Sequence, residues 1–414
     1  MIEFERSLKF AKELDLMDPL AKFRAMFHYP NSIIYFCGNS LGLQPKTART
    51  EIDRILKTWE EIGVEGWFHG SKNWFSYSDD LVNSLARIIG AHPEEVSIMN
   101  SLTVNLHLLL VSFYRPTSDR HRILIEEHAF PSDQYALKSQ IRFHGYDVND
   151  SLLEVKARAG EHTLRTEDII EAIDESIALV LFSGINYLTG QAFDMEAITK
   201  AAHAKGAAVG FDLAHAVGNI PLELHDWNVD FAVWCNYKYL NAGPGGISAC
   251  FIHKNNFEKD LPRFDGWWGG ERETMFLMEP DINPALGASG WQISTHPVLL
   301  LASLKAALDV WDKLEDLSLF YKKRDLLTGY LEFLIKELGP ENYEIITPSK
   351  ANERGCQLSI RTLKNGKKLF NTLIDRGVTV DWREPDIIRV APNPLYNTFE
   401  EVFLFAEILA EAVQ

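Results

Sequence analysis

The sequence predicts an α/β protein: a large domain built on a mostly parallel central sheet, followed by a smaller α+β domain. Three observations predict it. Between about residues 85 and 255, short apolar runs alternate with stretches of helical periodicity, the pattern of strand–helix–strand units. After Pro297 this alternation gives way to two long helical patterns, a few short strands and a last helix. At 414 residues the chain also exceeds the size at which a single core goes on growing.

The elements follow in order. Ile123–Ile125, Ala178–Phe182, Ala208–Asp212, Phe231–Trp234 and Ile247–Ile252 are near-continuous apolar runs, as expected of strands buried on both faces. Helical spacing falls between them at Asp133–Arg142, Thr166–Ile173 and Met195–Lys205, the last closed by Gly206. In the second part Leu299–Glu315 and Leu319–Leu338 carry apolar residues at three- and four-residue spacing. Strands are expected at Gln357–Ile360, Val378–Asp381 and Ile387–Val390, then a helix from Thr398 to about Val413. The expected domains are residues 31–296 and 297–414, with residues 1–30 folding back onto the smaller one. In sheets of this kind, ligands sit beyond the carboxyl ends of the strands.

Composition narrows the classes of function. With 41 basic and 58 acidic residues the formal charge is −17, spread along the chain and without a Lys/Arg stripe, so neither nucleic acid nor a membrane surface is expected as a partner. The hydrophobic content of 46% is that of a globular protein, but no apolar run approaches a membrane span. Cys37, Cys235, Cys250 and Cys356 show no paired spacing, and the first residues carry no signal-peptide pattern, which together lead to a cytoplasmic expectation. The histidines are scattered without metal-ligand spacing, so no metal is expected.

The densest chemistry lies in Gly210–Gly218 and Asn236–Leu240. Asp212 closes an apolar strand, where a carboxylate needs a cationic or proton-donating partner. A protonated pyridine nitrogen is one such partner. Lys238 follows a second apolar strand and precedes the glycine-rich Asn241–Gly246, whose glycines permit close approach to a ligand. A lysine there can be desolvated and attack an aldehyde. Taken singly, Asp212 also fits a helix cap, Lys238 a solvated surface and His215 a structural histidine; the order and spacing of the set favour a cofactor site.

Asp-x-Ala-His, an apolar strand and then Asn-Tyr-Lys-Tyr-Leu are similar to the fold-type-I, class V aminotransferase-like family of pyridoxal-phosphate enzymes. Further motifs resemble the kynureninases within it: Tyr35–Gly42, Ser101–His107, Phe130–Asp133, Phe211–Asn219, Gly266–Gly269 and Ile388–Pro392. The resemblance spans roughly residues 35 to 410.

The resemblance implies a fold-type-I fold and pyridoxal 5'-phosphate bound covalently on Lys238. It implies that Asp212 pairs with the pyridine nitrogen, with Asp133 as a second carboxylate. Leu102 and Thr103 would hold the phosphate at a helix N-terminus, a position that suits anions. Phe130 would stack on the ring, Ser183 and His215 would line the site, and Tyr237 would touch the phosphate and donate protons. Trp267 and Thr295 would complete the phosphate site from a second subunit, which makes a homodimer with shared sites the expected assembly. Arg389 is the expected clamp for a substrate α-carboxylate. Trp67 and His69 are placed against the substrate's aromatic ring.

The implied activity is hydrolytic Cβ–Cγ cleavage of L-kynurenine or its 3-hydroxy form to anthranilate or 3-hydroxyanthranilate and L-alanine. The alternatives are another class V reaction, such as cysteine desulfuration or lysis, and a non-catalytic protein that retains the fold. The first would need a nucleophilic cysteine on a mobile loop, whereas Cys356 begins an apolar strand. The second would be favoured by loss of Lys238 or Asp212, and both are present.

Overall fold

The computed structural model describes residues 3–30, 34–70 and 72–413. The domain boundary expected at residue 31 and the start of the N-terminal segment, residues 1 and 2, lie outside the described residues. A two-residue strand, Ile34–Tyr35 (β1), leads into the large layer. Its strands are Val96–Ile98 (β2), Arg122–Glu126 (β3), Leu152–Val155 (β4), Ile177–Ser183 (β5), Ala208–Asp212 (β6), Phe231–Cys235 (β7) and Ser248–Ile252 (β8). They form one sheet in the order β2-β8-β7-β6-β5-β3-β4.

The sheet is parallel from β4 to β7, while β8 and β2 form an antiparallel edge. Every residue of β7 and β8 is buried, as the unbroken apolar runs require. The short β2 and the half-exposed edge strand β4 were not expected from the sequence, because neither carries a sustained pattern. The parallel strands end on one side of the sheet. Glu126, Ser183, Asp212 and Cys235 are the last residues of β3, β5, β6 and β7, so polar groups collect along that edge.

The smaller layer has Tyr343–Ile345 (β9), Leu358–Thr362 (β10), Val378–Thr379 (β11), Asp381–Arg383 (β12) and Ile387–Val390 (β13). Four of these form an antiparallel sheet in the order β12-β13-β10-β9. The single strand expected at Val378–Asp381 is therefore two. β11 pairs in parallel with β1, then the chain crosses at Val380 and β12 joins β13. An apolar run shows that a segment is extended but not which partner its backbone takes.

Among the described residues one apolar cluster, with Leu106, Ile125, Leu181 and Val233, covers one face of the central sheet, and two others divide the molecule. The first of these two packs the central sheet against Leu301, Leu304, Leu308 and Trp311 of the helix Val298–Asp312, and against Leu20, Phe23 and Phe27. The second joins Leu14, Phe36, Leu331, Leu358, Val390 and Phe405. The helix Leu317–Glu337 contributes Phe320 to the first and Leu327 to Ile335 to the second. We propose that the two clusters mark two domains joined along this helix. On this division the helix after Pro297 packs with the larger domain, and the N-terminal helix Leu8–Leu16 with the smaller. That N-terminal helix lies on the final helix, Phe399–Val413, whose first N–H groups donate to Asp15 (Phe399 N–Oδ1 2.7 Å and Glu400 N–Oδ2 2.9 Å).

Candidate active site

A cavity of about 280 Å³ opens where the carboxyl ends of β5, β6 and β7 meet the smaller layer. Lys238 and Tyr237 reach it from the loop after β7, and Asp212 and His215 from the end of β6. Ser183, Phe130, Asp133, Leu102 and Thr103 line it from the neighbouring strand and helix ends, and Arg389 from β13. Ten residues singled out in the sequence thus converge, although they span residues 102 to 389.

Local chemistry explains their placement. Asn100 takes the left-handed conformation (φ 49°), which asparagine tolerates, and turns the chain into the helix Leu102–Phe113. Ser101 stands at the N-cap but its side chain makes no capping bond, so the first N–H groups of the helix remain available to an anion. The Thr103 and Ser132 hydroxyls lie 2.8 Å apart at the same end of the cavity. Gly42 brings the Tyr35–Gly42 motif onto the lysine loop: its N–H donates to the Tyr237 carbonyl at 2.9 Å, and a Cβ there would collide with the Lys238 carbonyl. The Asn241–Gly246 loop does not line the cavity, contrary to its expected role. Its glycines serve the turn into β8, where Gly243 and Gly245 have φ of 89° and 66°.

Charge is concentrated at the sheet edge. Asp212 accepts the Ala214 N–H at 2.8 Å, and burial raises its pKa against the opposing effects of that bond and of Lys238. Burial raises Asp133 further, helped by the charges of Asp212 and Glu126, and Asp133 shares a hydrogen bond with Asp212. Of the pair, Asp133 is thus the one shifted further toward its protonated form, and Asp212 the one held closer to its ionised form. Glu126 is fully buried, accepts the hydroxyl and N–H of Ser183, and is pushed up to about 7 mainly by burial. His215 is driven well below its ordinary value by burial and then by Lys238, and its Nδ1 has no partner. Burial likewise raises Tyr237, which keeps its hydroxyl protonated.

These groups fit pyridoxal phosphate. A buried aspartate facing a cavity suits a protonated ring nitrogen, and Asp133 Oδ1 and His215 Nδ1 are buried polar atoms without a partner. Phe130 presents a partly exposed ring, edge-on to Tyr187 at 5.2 Å between centroids. The uncapped helix end with its two hydroxyls suits a phosphate dianion.

Four expected residues lie elsewhere in the chain. Trp267 is half-exposed and donates to the Met275 carbonyl at 3.0 Å, and Thr295 is exposed. Trp67 is held edge-on between Trp74 at 5.5 Å and Trp268 at 5.8 Å. His69 sits in solvent, 3.3 Å from Glu65. Conversely, Asn39, Ser40, Ser132, Tyr187 and Arg383 line the cavity without having been singled out as site residues. Asn39, Ser40 and Ser132 lie inside motifs quoted for their resemblance. Arg383 carried a legible signal, because Asp381-x-Arg383 puts two charged side chains on one face of a strand.

Residues 321–409 match the family model of the kynureninase C-terminal domain. The kynureninase of Flavobacterium psychrophilum is 51% identical over 99% of both chains, and that of Christiangramia forsetii 51% identical over 100% of this chain and 99% of its own. Among solved structures, the cystine C–S lyase C-DES in complex with cysteine persulfide superposes with a TM-score of 0.79 at 19% identity, covering 92% of this chain and 97% of its own. The cysteine desulfurase CsdA of Escherichia coli gives 0.78 at 14% identity, covering 95% and 98%. At such identities these structures speak for the fold alone, which is that of fold-type-I pyridoxal-phosphate enzymes. Identity sustained over the whole length decides the family, and the chain belongs to the kynureninases.

Proposed function

We propose that the cavity performs the hydrolytic Cβ–Cγ cleavage of L-kynurenine, its 3-hydroxy form or both, with water, to L-alanine and anthranilate or 3-hydroxyanthranilate. The observation that carries the reading is the convergence of Lys238, the Asp212–Asp133 pair and Arg389 on one cavity. Pyridoxal phosphate, when bound, supplies the electron sink for the bonds broken at the substrate's α and β carbons. Lys238 anchors the cofactor and moves the Cα proton. Asp212 holds the ring-nitrogen proton, and Asp133, itself protonated, keeps the pair at a single negative charge. Leu102 and Thr103 bind phosphate at the helix end, Phe130 covers the ring, and Ser183 and His215 border it. Tyr237, protonated at neutral pH, is the proton donor to carbon and oxygen during cleavage. Arg389 receives the α-carboxylate.

Trp267 and Thr295 act across a homodimer interface, and Trp67 and His69 lie near the aromatic end of the substrate. Exposed Phe264, Leu277, Met278 and Leu286 around Trp267 support an interface there. A reducing, cytoplasmic setting fits the four unpaired cysteines. No described helix is long and apolar enough to cross a membrane. A desulfurase would need an accessible thiolate, whereas Cys356 is fully buried and burial pushes its thiol up to about 12.

The test is to incubate the cofactor-loaded protein with L-kynurenine and 3-hydroxykynurenine separately and quantify both products. Equimolar aromatic acid and alanine are expected. Retention of cofactor without release would move the activity to another reaction of the same fold.

A further inference from the structure

Arg389 is not free to clasp a carboxylate by itself. Its side chain is 1% exposed; Nε and Nη2 donate to the two oxygens of Asp381 at 3.1 and 2.6 Å. Nη2 also donates to Ser40 Oγ at 3.2 Å, and Nη1 to the Tyr187 carbonyl at 2.9 Å. Of its five N–H donors, this leaves one on Nη1. The two-pronged grip that makes arginine suited to carboxylates is already taken by Asp381.

A second guanidinium stands beside it. Arg383 lies two residues beyond Asp381 on β12 and lines the same cavity. Its Nη2 touches Asp381 Oδ2 at 3.1 Å, Nη1 makes only a long bond to the Trp382 carbonyl at 3.4 Å, and its buried Nε has no partner. Two guanidiniums share one carboxylate, which leaves one uncompensated positive charge at the cavity wall. Burial and the charge of Arg389 lower the Arg383 pKa, against the opposing charge of Asp381.

Resting on the reading that this cavity takes an α-amino acid, we propose that Arg383 is a second binding residue for the substrate α-carboxylate. It offers Nη1, whose only bond is the long one to the Trp382 carbonyl, while Arg389 adds its single remaining donor. Asp381 is a positioning residue that holds both guanidiniums and cancels one of their charges.

The test uses the holoenzyme and two small amines, so that it does not depend on kynurenine turnover. L-Alanine carries the carboxylate, and ethylamine is the same skeleton without it. Each is titrated against wild type, Arg383→Gln and Arg383→Lys, following the cofactor absorbance, and the ratio of the two Kd values is the readout. Wild type should prefer L-alanine, and Arg383→Gln should lose roughly tenfold or more of that preference with ethylamine binding unchanged, the effect of removing one charged hydrogen-bonding partner. Arg383→Lys, which keeps the charge but not the fork, should recover part of it. A merely structural role would weaken both amines together and leave the ratio alone. An unchanged ratio in Arg383→Gln would overturn the proposal, as would a wild type that takes both amines equally. Failure of the kynurenine reading would show separately, as wild-type enzyme that forms no anthranilate.

Discussion

The sheet edge and the β12–β13 wall of the cavity are both crowded with ionisable groups, mostly acidic at the first and mostly basic at the second. At the sheet edge, Glu126, Asp133 and Asp212 are three carboxyl groups with Lys238 the nearby cation, and burial raises all three pKa values. On the wall, Arg383 and Arg389 share Asp381, whose carboxyl the arginines hold below its ordinary value against the cost of burial. An under-compensated charge in a dry site is costly unless something neutralises it. Asp212 at the sheet edge therefore suits a cationic ring nitrogen, and the second guanidinium at the wall suits an anionic carboxylate. Lys238, which lines the same cavity, is where the cofactor and the amino acid would meet.

Substitutions break this comparison in graded ways. Lys238→Ala removes the group that serves both ligands, so anthranilate release should fall by roughly a thousandfold or more, the contribution of a positioned acid–base group. The visible absorbance of the lysine-bound cofactor should vanish with it. Normal turnover in this variant would sink the central assignment. Asp212→Asn keeps the shape but not the charge at the sheet edge. It should lower kcat by roughly a hundredfold or more, as the loss of a preorganised electrostatic partner does. Absorbance titration with cofactor should show weaker binding as well, and unimpaired kcat would mean that Asp133 can take over. Arg389→Ala acts on the wall alone. KM for L-kynurenine should rise by roughly tenfold to a hundredfold while the cofactor spectrum stays as in wild type. If kcat fell and KM did not, Arg389 would be removed from substrate binding.

The sheet edge was far more legible in the sequence than the wall. Asp212 ends an apolar run and Lys238 follows another by three residues, and a strand end in a parallel sheet already says which way the chain faces. Glu126 closes the strand expected at Ile123–Ile125 in the same way, but a lone glutamate before a loop carries no sequence signal of its own. The wall depends on pairing that no local pattern specifies. Asp381 faces Arg389 only because β12 lies antiparallel to β13 in that register, and the split of the expected strand at Val380 is what frees β12 to do so. Trp67 and Trp267 show a further limit. Both carry a plausible aromatic role in sequence, but within one chain the first is packed against other tryptophans and the second lies on the surface.

The smallest expected effect is on stability and isolates Glu126. Its carboxyl is raised from the ordinary value of 4.5 to about 7, with burial the leading cause and the Asp212 charge adding to it. Because the folded-state value lies above the unfolded one, the folded protein binds the extra proton between pH 4.5 and about 7. Folding stability from this group is therefore fully present below the lower value and is lost as pH rises toward the upper one, by roughly 3 kcal/mol in total. Glu126→Gln carries no such proton and should not show that loss. Its amide oxygen can still accept from Ser183, which in the wild type donates through both N–H and hydroxyl. Urea unfolding of the apoprotein at pH 5 and pH 8 should show the variant gaining on wild type between the two, whatever its absolute stability at either. Parallel pH dependence in the two proteins would mean that Glu126 is ionised throughout, and that the sheet edge carries one more negative charge than its burial should allow.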